Sequence, residues 1–182
     1  LEEESGDLKV SVRCTDNQTP KSGLQLILHT RGMLHYAAQW DTIYNTLLVN
    51  TSTFPPGIMQ VLLLDSLANP LSERLYFCNN HDNAYLNFQT DGENYDARSL
   101  VKAELNLLDK NGNPLSGSFS VSITDNQDIL PDSTTDIRSS LLLDSELKGF
   151  ITNPTFYMKE GNKEALDLLM LTHGWRRYSI PD

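Results

Sequence analysis

The chain has 182 residues, enough for one large domain or two small ones, and its 39% hydrophobic and 21% charged content is ordinary for a globular protein. A formal net charge of −10, with no basic cluster larger than the pair Arg176–Arg177, argues against nucleic acid and anionic lipid surfaces as partners. No apolar run is long enough to cross a bilayer, so no direct membrane insertion by this segment is expected, and Glu2-Glu3-Glu4 is the reverse of a signal peptide's basic start.

The first four-fifths of the chain read as strands. Leu8 to Cys14 alternates with period two, placing Leu8, Val10, Val12 and Cys14 on one face. Leu24 to His29 follows Pro20 and Gly23, and Gly32 then predicts a tight hairpin into Met33 to Trp40. Thr46 to Val49 is a short strand ended by Phe54-Pro55-Pro56-Gly57. Ile58 to Leu64 and Leu71 to Cys78 form a hairpin around Ser66 to Pro70. Closely spaced strands separated by turn signals predict an immunoglobulin-like β-sandwich over residues 1–80.

Polar, aperiodic Cys78 to Asn83 marks the module boundary, and residues 81–182 are expected to form a second module. Tyr85 to Phe88 opens its strands, and Leu100 to Leu108 is expected to pair with Phe119 to Ile123 across Asp109 to Pro114. LLDSLANPLS at Leu63 to Ser72 matches LLDKNGNPLS at Leu107 to Ser116 in seven of ten positions, as related modules or a shared style of hairpin turn would. Beyond Pro131, helices are predicted over about 136–148, stopped by Gly149, and over about 163–173, capped by Asn162 and closed by Gly174. Leu166, Leu169 and Met170 share one face of the latter. The second module is thus a mixture of strands with helices laid on them.

Few residues suggest chemistry. Cys14 and Cys78 permit one disulfide within the first module, or two buried thiols, and neither has a Cys-x-x-Cys partner. His29 and His35 flank Gly32 on neighbouring strands and could approach each other, but no third ligand is spaced to make a metal site. Asp109-Lys-Asn111-Gly-Asn113 has its Gly at position four rather than six of a calcium loop, so it reads as a turn. Hydrolase, Walker and dinucleotide motifs are absent, and neither catalytic residues nor a cofactor are expected. Trp175-Arg176-Arg177-Tyr178 is the densest unusual feature. Its aromatics and arginines suit stacking on a partner or glycan, or pinning of the last helix to the sheet. Trp40 is a further candidate for such stacking.

Pro70-Leu-Ser-Glu-Arg-Leu-Tyr-Phe77 after Gly57-Ile-Met-Gln60 resembles the last hairpin of macroglobulin-like domains in large Bacteroidetes envelope proteins. Phe119-Ser-Val-Ser-Ile-Thr-Asp125 resembles the strand that comes after it in the next such domain. Leu141 to Gly149, Asn153-Pro154 and Ala165 to Tyr178 extend the resemblance over nearly the whole chain, the last segment being its most specific part. Such proteins often continue into a TonB-dependent receptor plug region. The resemblance implies an extracytoplasmic, non-catalytic structural or interaction module whose partners are other domains of its parent, another envelope protein or a glycan. A carbohydrate- or peptide-binding module feeding a transporter is the alternative. Macroglobulins that trap proteases use a Cys-Gly-Glu-Gln thioester, which neither Cys14 nor Cys78 occupies.

Overall fold

A computed structural model describes residues 1–4, 6–13, 22–40, 46–124 and 132–173. Over these residues the protein is mainly β, with three antiparallel sheets and short helices near the C-terminus. It divides into two compact units, Leu1–Asn80 with Asp132–Asp182, and His81–Pro131.

The first unit holds seven of the described strands: β1 (Glu2–Glu4), β2 (Asp7–Ser11), β3 (Gln25–Thr30), β4 (Met33–Gln39), β5 (Thr46–Asn50), β6 (Gly57–Leu64) and β7 (Pro70–Cys78). They form two sheets, ordered β1-β2-β5 and β4-β3-β6-β7. Alternation explains the pairing of faces. Leu8 and Val10 of β2 and Val49 of β5 bury themselves in one cluster with Leu26, Leu28, Met59, Val61 and Leu63 from the larger sheet. Each such side chain removed from water contributes about 1.5–3 kcal/mol before entropy is counted. The acidic start, which carries no strand signal, becomes β1 because Lys9 of β2 faces Glu4 at 3.0 Å and Glu2 at 3.9 Å.

The β3–β4 connection is the two-residue hairpin that Gly32 predicts. Arg31 (φ 53°) and Gly32 (φ 79°) both take the left-handed conformation that matches the twist of the strands. A bulge lies beyond it, because Leu28 pairs with Tyr36 and His29 with Leu34, leaving His35 as the extra residue.

β6 is buried along its entire length because both of its faces are covered. Met59, Val61 and Leu63 enter the core shared with the smaller sheet, while Ile58 joins Leu75 and Phe77 of β7 under the helices. Those helices are α1 (Ile137–Ser139), running into a wide π-helical turn over Ser140–Asp144, then α2 (Pro154–Tyr157) and α3 (Lys163–Thr172). Leu143, Leu147, Ile151 and Met170 fill the space over β6 and β7, and Leu166 and Leu169 pack beside them as their helical spacing predicts. Residues 132–173 therefore pack with the first strand set, although they come after the second in sequence and were expected to belong with it. Asn162 also departs from expectation. Its side chain does not cap α3, and its Nδ2 donates to Phe156 O at 2.7 Å.

The second unit contains β8 (Tyr85–Thr90) and β9 (Ala103–Leu108), paired antiparallel from Tyr85↔Leu108 to Thr90↔Ala103. The expected strand at Phe119–Ile123 is not formed. After Asp109–Asn113 the chain makes one bridge, Leu108↔Pro114, and one further bond from Leu115 N to Leu107 O at 2.8 Å.

Candidate interaction surface

In the β8–β9 pair, strand alternation separates two faces. Tyr85, Asn87 and Gln89 lie with Leu108, Asn106 and Glu104 on a mostly polar face. Leu86, Phe88 and Thr90 lie with Leu107, Leu105 and Ala103 on the other. This second face is apolar yet open to solvent, with Leu86 53%, Phe88 58% and Leu105 37% exposed. Contiguous exposed apolar area of this kind marks contact sites on soluble proteins. The loop beyond β8 is held by Asp91, which accepts from Tyr95 Oη at 2.8 Å and from Lys102 N at 3.1 Å. The Tyr95 hydroxyl, and secondarily the backbone N–H of Lys102, hold the Asp91 carboxyl below its ordinary value.

The other electrostatic feature lies in the first unit. Glu146 is 4% exposed, and its carboxylate accepts from Arg31 Nε, while Arg31 Nη2 donates to Leu141 O at 2.9 Å. The π-helical turn closes with Ser145 N on Ser140 O at 3.0 Å, and Leu143 and Leu147, which flank Glu146, anchor in the core. A Cβ on Gly57 would meet Glu146 Oε1 at 3.6 Å, an ordinary contact, so the glycine is favoured there by its backbone, at φ 121°, rather than by room for the acid. Burial pushes the Glu146 carboxyl above its ordinary value, and Arg31 pulls it part of the way back. The arrangement clasps the helical segment to the β3–β4 turn. Sequence reasoning missed it, although an acid between Leu143 and Leu147 on a helical repeat was the available signal.

Of the residues singled out from sequence, Trp175, Arg176, Arg177 and Tyr178 lie outside the described residues, as does Cys14. Trp40 is 7% exposed and packs in the core, its backbone N–H donating to Leu24 O at 2.8 Å, so it offers no stacking face to solvent. Cys78 is a free, buried thiol whose Sγ donates to Thr51 O at 3.7 Å. Burial raises the Cys78 thiol and pushes Tyr76 up to about 12, the reverse of nucleophile activation. His35 stacks on Phe54 at 5.4 Å between ring centroids, and His29 is buried on β3. Among the described residues, no three His, Cys, Asp or Glu side chains are grouped to hold a metal ion.

The repeated decapeptide is realised as two matching loops. Leu67 N and Asn69 N donate to Asp65 Oδ1 at 2.8 Å, and Asn69 Nδ2 donates to Asp65 Oδ2 at 2.9 Å. Asn111 N and Asn113 N do the same to Asp109 Oδ1 at 2.8 Å, with Asn113 Nδ2 on Oδ2 at 3.0 Å. Ala68 (φ 63°) and Gly112 (φ 84°) occupy the same left-handed position. No protein-family model, curated protein or solved structure significantly matches the chain.

Proposed function

We propose that this chain is a non-catalytic, extracytoplasmic interaction and spacing segment of a larger outer-membrane or surface protein, built from immunoglobulin-like sandwich modules of the macroglobulin-like type. The observation that carries the interaction role is the open apolar face of β8–β9, set on a strand pair whose other face is polar. Two sheets sharing one core in the first unit support the sandwich reading of residues 1–80. The envelope assignment, and the link to TonB-dependent uptake, rest on the resemblance of the Pro70–Phe77, Phe119–Asp125 and Ala165–Tyr178 motifs. The partner that fits the open face is an apolar protein surface, such as a neighbouring domain of the same parent.

Site-specific photo-crosslinking in whole cells tests the reading. A benzophenone side chain at Phe88 should give a discrete adduct in the envelope fraction, and one at Gln89 on the opposite face should not. Equal adducts from both positions, or adducts confined to cytosolic proteins, contradict it.

A further inference from the structure

The second unit stops one strand short of a sheet that can stand alone. A two-stranded hairpin is marginal in water, whereas three strands with an apolar face can be independently stable. The segment beyond the Asp109–Asn113 loop supplies the pattern for a third strand, since Phe119, Val121 and Ile123 alternate with Ser118, Ser120 and Ser122. In the structure these apolar side chains are exposed, Ile123 by 93%. Among the described residues, no strand pairs with the edge of β9 that faces away from β8.

Two registers compete for that edge, and a slip of one residue turns every side chain to the opposite face. In the matching hairpin, Leu64↔Pro70 leads into a bulge, and pairing resumes at Leu63↔Ser72. Copied onto the second loop, that bulge would pair Leu107 with Ser116 and set Phe119 beside Glu104 on the polar face. Without a bulge, Leu107 pairs with Leu115, Leu105 with Gly117, Ala103 with Phe119 and Val101 with Val121. All of those side chains then join Leu86 and Phe88 on the apolar face.

Two observations select the unbulged register. Leu115 N already donates to Leu107 O at 2.8 Å. A Cβ on Gly117 would lie 3.0 Å from Leu107 Cδ2, which puts residue 117 on the Leu107 side of the sheet. We infer that Leu115–Ile123 is a strap that closes along the free edge of β9 in the register Leu107↔Leu115, completing a three-stranded sheet and extending its apolar face by Leu115, Phe119 and Val121. Closure removes the open edge and the loose Phe/Val/Ile run, a combination that otherwise invites strand addition by other chains. It does not depend on the envelope assignment.

Nuclear magnetic resonance of the full chain tests this. Hα–Hα contacts between Glu104 and Ser118 and between Asn106 and Ser116 are expected, with Gly117 and Phe119 amides exchanging at least about tenfold more slowly than in the denatured chain. Contacts between Glu104 and Phe119 would overturn the register, and no cross-strand contact at all would overturn closure. Contacts seen only in an isotope-filtered mixture of two differently labelled samples would overturn the intrachain strap and assign it to a second copy.

Discussion

The two Asp-to-Asn loops share their hydrogen bonds and their left-handed residue, yet the chain leaves them in different ways. After Asp65–Asn69 it continues as β7, nine residues long, against a fully buried β6. After Asp109–Asn113 the ladder ends within two residues. Turn chemistry is therefore sufficient to reverse the chain, while extension of the ladder depends on cover. β6–β7 is roofed by Leu143, Leu147, Ile151 and Met170 on one side and by the smaller sheet on the other. Among the described residues, the equivalent apolar face of β8–β9 carries no such layer. Burial supplies the free energy that fixes each further residue against a backbone entropy cost of about 1–2 kcal/mol.

Cavity-forming substitutions should sharpen that contrast most. Leu143→Ala removes a side chain that is wholly buried and should cost about 2–5 kcal/mol in urea unfolding. Leu86→Ala, on the open face, should change stability by no more than about 0.5 kcal/mol. Equal losses would mean that the β8–β9 face is covered in solution. Arg31→Ala comes next. It leaves the Glu146 carboxylate buried without its guanidinium, at a cost of about 2–3 kcal/mol that denaturant titration near neutral pH would register.

The Glu146 clasp and the two Asp loops should also answer pH with opposite signs. Glu146 has a folded-state value raised by burial, so its contribution is full below the unfolded value of about 4.3 and is lost as pH rises through the raised value. Glu146→Gln should therefore gain on the wild type between pH 4 and pH 8, and a constant difference would refute the sign. Asp65 and Asp109 are held below the ordinary range, first by the side chains of Asn69 and Asn113 and then by those residues' backbone N–H groups. Their contributions are present above the unfolded carboxylate value and fade as pH falls through the lowered one. Asp65→Ala and Asp109→Ala should each flatten the acid limb of the unfolding profile.

Much of this fold was legible as alternation. Leu8 and Val10, and Leu166, Leu169 and Met170, face where their periods place them, and Arg31-Gly32 makes the hairpin turn that Gly32 marked. Three things were not legible. The strand at Glu2–Glu4 depends on Lys9 across the ladder, a pairing that period and propensity do not encode. The place of the helices depends on which sheet offers an uncovered apolar face, and Ile58, Leu75 and Phe77 lie far earlier in the chain than Leu143, Leu147, Ile151 and Met170. Phe119–Ile123 has an ideal strand pattern and yet is exposed and unpaired in the structure, because alternation names a face without fixing the register in which an edge is met. For the candidate site, the apolar alternation of Leu86 and Phe88 was visible, but its exposure was not. Trp40 was chosen for its aromatic ring, and its position beside Leu24 buries that ring instead.

Native-state hydrogen exchange, resolved over Gly57–Cys78 and Tyr85–Leu108, tests most directly whether cover rather than turn chemistry sustains a hairpin here. The amides of β6 and β7 should exchange only through global unfolding, and those of β8 and β9 through local opening, at least about a hundredfold faster. Equal protection of the two hairpins would contradict the account.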